Sequence, residues 1–167
     1  ESLNNKCTEV LQSLNNWFNM NDLYLNSEKT RTIRFHNRQK ICEPLSVKIN
    51  DVYLKCITEP VKFLGITLDE HMDWKPHCEN LVSLLNSTNF LFKNIKDVLT
   101  KHQLTNVYYA QIESRIRYGI CLWGDSTLSQ AVFVSQKRVI RTIAGVPSTR
   151  SCRTLFVDFD LMTVASI

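Results

Sequence analysis

Apolar residues recur every three or four positions at the start of the chain, which is the spacing of one face of an amphipathic helix. The members of this stripe are Leu3, Cys7, Val10, Leu11, Leu14, Trp17 and Phe18. A polar segment from Asn19 to Asp22 follows, and Asn and Asp side chains stabilise turns. The pattern therefore predicts a helix over residues 3–18 that ends in a turn.

Short apolar runs between residues 23 and 68 are typical of β-strands. They are LYL at 23–25, TIRF at 32–35, LSVKIN at 45–50, DVYLKCI at 51–57 and VKFLGITL at 61–68. Asn50 and Asp51 are suited to a hairpin turn between the third and fourth runs. We expect these runs to form a small, largely antiparallel sheet on which the first helix packs.

From residue 73 the apolar pattern changes to the period of a helix. Asp73 is placed to accept hydrogen bonds from the first free amides of a helix, and Pro76 is tolerated in a first turn. A long stripe at helical spacing follows: Leu81, Leu84, Leu85, Thr88, Leu91, Phe92, Ile95, Val98 and Leu99. This stripe predicts one long helix.

Two more helices are predicted beyond this stripe. One spans about residues 104–118, and the other spans residues 128–144, where Gly145 and Pro147 favour a stop. The predicted fold class is therefore α+β, with a mixed part before about residue 73 and an all-helical part after it.

The composition is that of a folded protein, with 44% hydrophobic and 22% charged residues among 167. The sequence contains no run of about 18 apolar residues and no signal-peptide pattern. We therefore expect an intracellular protein, in the nucleus or the cytoplasm, without a membrane partner. The six cysteines show no Cys-x-x-Cys pair, which favours buried thiols over a zinc module or a disulfide scaffold.

The net charge of +4 favours an anionic partner only weakly, but the basic residues are clustered. The segment from Lys29 to Lys40 has five basic residues and no acidic one, and Lys137, Arg138 and Arg141 form a second group. Each cluster is a candidate phosphate-contact surface or simply a solvated face. Charge alone does not decide between these two interpretations.

Four segments, taken in order, carry a resemblance to a known family. They are NNWFNMNDLYLNSEKTRTIRF at 15–35, VKFLGITLDEHMDWKPH at 61–77, YYAQIESRIRYGICLWG at 108–124 and SQKRVIRTIAGVP at 135–147. Their order and spacing resemble the carboxy-terminal part of the reverse transcriptase of non-LTR, LINE-type retrotransposons, most like the jockey-like elements. The resemblance implies a polymerase palm end over residues 1–73, an all-helical thumb over 74–145, and the start of a downstream connecting segment over 146–167.

The resemblance also implies functional positions in the palm part. The segment LNSEKT at 25–30 corresponds to a palm motif that places a lysine near the incoming nucleotide, and the matching residue is Lys29. An ammonium group there can neutralise charge or donate a proton as pyrophosphate leaves. The other interpretation of Lys29 is a solvated loop cation.

The segment KFLG resembles the primer grip, a hairpin that holds the end of the primer strand. Its residues are Lys62, Phe63, Leu64 and Gly65, and a glycine there lets the backbone approach a nucleic acid closely. In the alternative interpretation, Phe63 and Leu64 pack on opposite faces of a strand and Gly65 forms a bulge.

In polymerases, thumb helices contact phosphates without reading sequence. The candidate contacts here are Arg115, Arg117, Lys137, Arg138 and Arg141. Arg138 and Arg141 lie one helical turn apart and should share a face. Tyr108, Tyr109 and Trp123 are suited to stacking on bases, although Tyr108 falls in an apolar stripe and fits a core better.

Acidic and histidine residues in DEHMDWKPH invite a metal interpretation: Asp69, Glu70, His71, Asp73 and His77. Capping of a helix start explains such carboxylates, so we expect no metal ligand among them. Two-metal phosphoryl transfer needs paired carboxylates, and the sequence contains no Asp-Asp pair. We therefore expect no cofactor in this chain, with Mg²⁺ serving the intact parent enzyme.

These implications lead to one hypothesis about function. The chain would be a fragment of a retrotransposon RNA-directed DNA polymerase, a nucleotidyltransferase, that is inactive alone. Its partners would be an RNA/DNA primer–template duplex and the missing upstream fingers and palm of the parent enzyme. Two alternatives remain open: a non-catalytic nucleic-acid-binding module derived from a mobile element, and a decayed gene fragment without function.

Overall fold

The computed structural model describes residues 3–39, 43, 45–49 and 52–167. Lys40, Cys42 and the turn predicted at Asn50 and Asp51 lie outside the described residues. The chain divides into two compact units, Glu1–Met72 and Asp73–Ile167. Helices and short strands are both present, so the general α+β prediction is confirmed.

The first unit begins with helix α1, Leu3–Met20, which covers the predicted helix and extends it by two residues. Its strands are β1 Arg31–Ile33, β2 Lys48–Ile49, β3 Val52–Tyr53, β4 Lys55–Ile57, β5 Val61–Phe63 and β6 Ile66–Leu68. Among the described residues these strands form three separate pairs: β1 with β4 in parallel, and β2 with β3 and β5 with β6 in antiparallel. The expected single, largely antiparallel sheet is therefore not what the structure shows.

The strands are only two or three residues long, which explains why they form separate pairs and not one sheet. The run at 51–57 is split at Leu54, whose buried side chain joins Val47 and Ile49 in a small apolar core. The Leu54 amide donates to the Val47 carbonyl at 2.8 Å, which keeps this break close to β2. The run at 23–25 forms no strand, because the chain enters the turn organised by Asn26 instead.

The predicted apolar stripe of α1 is largely exposed to solvent. Leu3, Val10, Leu14 and Trp17 each expose between 45% and 59% of their surface, although α1 contacts β2. The periodicity predicted the helix correctly, yet in this chain the face has little to pack against. An exposed apolar surface of this kind favours association.

The second unit is helical among its described residues. Its elements are α2 Lys75–Ile95, α3 Lys101–Tyr108, a π-helical turn Tyr109–Glu113, α4 Ser114–Arg117, α5 Ile120–Trp123, α6 Ser129–Ala144 and α7 Arg153–Asp158. Helix α6 ends where the sequence predicts, at Gly145 with a left-handed φ of 64°. The segment 146–167, which the sequence resemblance separates as a connecting segment, contributes α7 to this unit.

The helix predicted over about residues 104–118 contains a π-helical turn. Thr100 and Gln103 form a reciprocal capping box at its start, a signal that the apolar pattern does not carry. The Ser114 amide then bonds to the Tyr109 carbonyl, five residues back, where an α-helix would use four. The π-helical turn holds one residue more than an α-helical turn, and Ile116 in the turn that follows it is buried in the core.

A buried glutamine ties three parts of the second unit together. The Gln136 side chain of α6 is fully buried, and its Nε2 donates to the Tyr108 hydroxyl and to the Met162 carbonyl, both at 2.8 Å. Its Oε1 accepts from the Val164 amide at 3.2 Å. Burial raises the pKa of Tyr108, which keeps the phenol neutral in this network.

Replacing Gln136 with leucine should destabilise the protein by about 3 kcal/mol, because it leaves the buried Tyr108 hydroxyl and Val164 amide, and the partly buried Met162 carbonyl, without their hydrogen-bond partner. Chemical denaturation of the full chain measures this loss. Gln130→Leu, on the exposed part of the same helix, is the matched control and should change the free energy of unfolding by less than about 0.5 kcal/mol. Equal effects of the two substitutions would contradict the assigned network.

Candidate nucleic-acid interface

Lys29 lies in a turn that Asn26 organises within the first unit. The Lys29 amide donates to the Asn26 side-chain oxygen at 3.1 Å, and the Thr30 hydroxyl donates to the Asn26 carbonyl at 2.7 Å. Arg31, at the start of β1, donates to the Glu28 carbonyl. The turn is therefore held by local hydrogen bonds, and the Lys29 side chain is exposed. Its role near a nucleotide stays a prediction.

Strands β5 and β6 form a tight hairpin whose tip is the KFLG segment. Phe63 pairs with Ile66, so Leu64 and Gly65 are the two turn residues, with φ of 47° and 84°. Positive φ at both central residues defines a turn whose twist matches that of the flanking strands. Phe63 and Leu64 expose 61% and 75% of their surface. The tip is thus an exposed apolar turn, and Gly65 forms part of the turn and not a bulge.

Arg115 and Arg117 have partners within the second unit. Arg115 donates to the Thr88 hydroxyl at 3.0 Å and to the Gln111 side-chain oxygen at 2.9 Å. Arg117 pairs with the buried carboxylate of Glu113 at 2.9 Å. Both guanidinium groups therefore stabilise the turns around the π-helical segment. A phosphate would have to compete with these partners.

The basic residues of α6 differ in how far they are engaged. The Lys137 ammonium lies 4.3 Å from the centre of the Phe133 ring, and the Arg141 Nε donates to the Arg150 carbonyl at 2.8 Å. Arg138 is exposed. The two arginines line the same cleft, so the prediction that they share a face is confirmed.

That cleft lies between α2 and α6 and has a volume of about 300 Å³. The residues that line it are Asn89, Lys93, Arg138, Arg141, Thr142, Val146 and Ser148. Among these described residues three are cationic, three carry an amide or hydroxyl group, and none is acidic. A cleft of this chemistry suits a phosphate group, which accepts hydrogen bonds and carries negative charge.

Sequence reasoning missed Lys93 as a member of this group. It lies 45 residues before Arg138 in the chain and in a different helix, where it is one polar residue among several. Its position one turn after Asn89 places both on one face of α2. Only the packing of α2 on α6 brings that face to the arginines.

The aromatic residues considered for base stacking are mostly committed to the core. Trp123 is fully buried and its indole nitrogen donates to the Tyr118 carbonyl at 3.2 Å. Tyr108 is also buried, as its apolar spacing predicts. The Tyr109 hydroxyl donates to the Asp160 carbonyl at 2.8 Å. Stacking of Trp123 or Tyr108 on a base would therefore require the unit to open, whereas Tyr109 remains exposed.

The residues of the predicted helix start separate into two environments. The N-cap of α2 is Trp74, with a left-handed φ of 64° and no capping side chain, so the prediction that Asp73 caps this helix is wrong. The Asp73 side chain accepts from the Lys75 amide two residues later, at 3.2 Å, and Pro76 lies in the first turn. His77 is buried in α2 near the Trp123 ring, and burial lowers its pKa. Glu70 and His71 belong to the first unit, and His77 belongs to the second.

No protein-family model, curated protein or solved structure gives a significant match to this chain. Within the described part of the chain, every helix is too short or too polar to cross a bilayer.

The turn residue Leu64 offers a direct test of the hairpin. A bulky side chain in the left-handed region costs about 1 kcal/mol, and asparagine before glycine is the preferred pair for this turn. Leu64→Asn should therefore slow amide exchange in β5 and β6 about fivefold, measured by hydrogen exchange of the full chain. Leu64→Val, which is worse suited to positive φ, should accelerate exchange; the opposite order of the two variants would refute this turn geometry.

Proposed function

We propose that the α2–α6 cleft contacts the phosphate backbone of a nucleic-acid duplex, and that the chain is a palm and thumb part of a non-LTR retrotransposon reverse transcriptase. The observation that carries the first part is the convergence of Lys93, Arg138 and Arg141 on one cleft without an acidic lining residue. The order and spacing of the four motifs support the second part.

The chemistry of the cleft suits backbone contact better than base readout. Its cations are arginine and lysine, and its neutral donors are an amide and two hydroxyl groups, which are the side chains that usually contact phosphate oxygens. Like charges held this close repel one another, and a bound phosphate relieves that repulsion. We therefore assign this surface to holding a duplex and not to selecting its sequence.

This assignment narrows the set of basic residues that sequence reasoning proposed. Arg115 and Arg117 are held by Thr88, Gln111 and Glu113, so their substitution should act mainly on stability. Arg138 is free of such constraints among the described contacts and faces the cleft together with Lys93. Substitutions of these two residues therefore test binding more directly than substitutions of Arg115 or Arg117.

Lys93→Ala and Arg138→Ala should each weaken binding to an RNA–DNA duplex, and each should reduce the slope of log affinity against log salt by about one. Fluorescence anisotropy across a salt series measures both quantities. Duplexes of different sequence should respond alike, because the contacts are to phosphates.

Lys75→Ala is the matched control for this series. Lys75 is an exposed cation at the opposite end of α2, about 27 Å from Lys93 along the helix axis. Its removal should leave the salt slope unchanged. If Lys75→Ala and Lys93→Ala lose the same affinity, the effect depends only on the net charge of the chain and not on the cleft, which contradicts the proposal. If the native chain does not bind the duplex at low salt, the proposal is refuted.

The lineage proposal predicts binding without polymerisation. Two-metal nucleotidyl transfer needs carboxylates that hold both ions over the primer end, and the sequence offers no Asp-Asp pair. The 167-residue chain should therefore not extend a primer on an RNA template with Mg²⁺. The assay uses the same duplex as the anisotropy series, so that missing extension is not confused with missing binding, and measurable extension would refute this expectation.

A further inference from the structure

Two histidines and a glutamate meet in the first unit, in a place that the proposed duplex surface does not use. His36 follows β1, and Glu70 and His71 follow β6. The His36 Nε2 lies 3.5 Å from one Glu70 carboxylate oxygen, and the His71 Nε2 lies 3.6 Å from the other. One ligand atom from each of the three residues falls within 4.8 Å of the others.

The backbone around this cluster is already held in place. The His36 amide donates to the Glu70 carbonyl at 3.0 Å, which joins the two chain segments directly. The Asp69 side chain accepts from the His71 amide at 3.2 Å, and the Asp69 carbonyl accepts from the Met72 amide at 3.1 Å. The three side chains therefore project from a short connection that hydrogen bonds fix.

The other ring nitrogen of each histidine faces a backbone carbonyl. The Nδ1 of His71 lies 3.2 Å from the His36 carbonyl oxygen, and the Nδ1 of His36 lies 3.1 Å from the Asn37 carbonyl oxygen. A carbonyl oxygen only accepts, so each Nδ1 carries the proton. Hydrogen bonds of this kind orient metal-binding histidines and fix their tautomer.

That tautomer leaves each Nε2 available to ligate a metal ion, on the side of the ring where the Glu70 carboxylate lies. Direct N–H···O hydrogen bonds are about 2.7–3.2 Å long, shorter than both separations. Two atoms that each lie about 2.0–2.1 Å from a tetrahedral zinc ion are about 3.3 Å apart. The two His–Glu separations are near this value, although they go to different carboxylate oxygens, and the three ligand atoms lie within 4.8 Å of one another, so a bound zinc ion would draw them closer together.

We propose that His36, His71 and Glu70 bind a divalent transition-metal ion, with zinc as the best match. Two imidazole nitrogens and one carboxylate oxygen suit zinc, whereas magnesium prefers oxygen ligands alone. All three side chains are partly exposed, so an ion can enter from solvent. Three protein ligands leave a coordination position for water, as in zinc sites that are not closed.

The sequence interpretation expected no metal ligand here because helix capping explains the carboxylates of residues 69–77, and it did not consider His36 with them. It grouped Asp73 and His77 with Glu70 and His71, but the third ligand comes from His36, 35 residues before His71. The signal that was available is His36 itself, directly after a predicted strand, and no spacing rule connects it to the later segment.

The test is zinc binding by the purified full chain, measured by equilibrium dialysis and by calorimetric titration with Zn²⁺ alone. We expect about one zinc per chain, unaffected by excess Mg²⁺. His36→Gln and His71→Gln should each weaken binding at least tenfold. His102→Gln, an exposed histidine of α3 outside the cluster, is the matched control and should bind as the native chain does.

Thiols are the competing zinc ligands, since the described cysteines are free. Cobalt substitution separates the two cases, because thiolate ligands give an intense near-ultraviolet charge-transfer band that nitrogen and oxygen ligands do not. Circular dichroism of the metal-free variants checks that they fold, and Glu70→Gln supplies a second variant of nearly unchanged volume. Zinc binding of undiminished affinity in His36→Gln, a thiolate band, or no binding by the native chain would each overturn the proposal.

Discussion

Packing of α2 along α6 is the interaction on which the second unit depends. Leu85 and Phe92 of α2 and Ile140 of α6 are buried in one apolar cluster, which removes apolar surface from water and stabilises this unit. The same packing brings Lys93 to the side of Arg138, although like charges repel. The apolar core thus holds together a cationic cleft that would not assemble through its own charges.

Polar groups inside the second unit fix the register of this packing. Gln136 satisfies groups from α3 and from the segment that follows α7, and Arg115 satisfies Thr88 of α2. Unpaired polar groups are costly when buried, so each contact favours one arrangement of the helices over its neighbours. The arginines of this unit therefore differ: Arg115 and Arg117 hold the fold, whereas the exposed Arg138 lines the cleft.

The sequence predicts features that depend on local geometry and fails where distant segments meet. The end of α6 at Gly145 follows from backbone conformation alone, and the spacing of Arg138 and Arg141 follows from the helical repeat. The pairing of β1 with β4 in parallel, the addition of Lys93 to the cleft and the meeting of His36 with His71 all require tertiary contacts. Hydrophobic periodicity shows which face of an element is buried. It does not show which distant segment packs against that face, so it cannot predict such contacts.

The stability of the first unit is limited because the unit buries little apolar surface. Its buried apolar side chains among the described residues are Val47, Ile49 and Leu54, while most of the α1 stripe faces solvent. A small core leaves little margin over chain entropy, and small folds often add a covalent or metal constraint. The His36 and His71 pair spans β2 to β6, so a cation bound there would close one loop around nearly all the strands of the unit. Such closure acts mainly by restricting the unfolded chain, and its effect would therefore extend to the whole strand region and not to one turn.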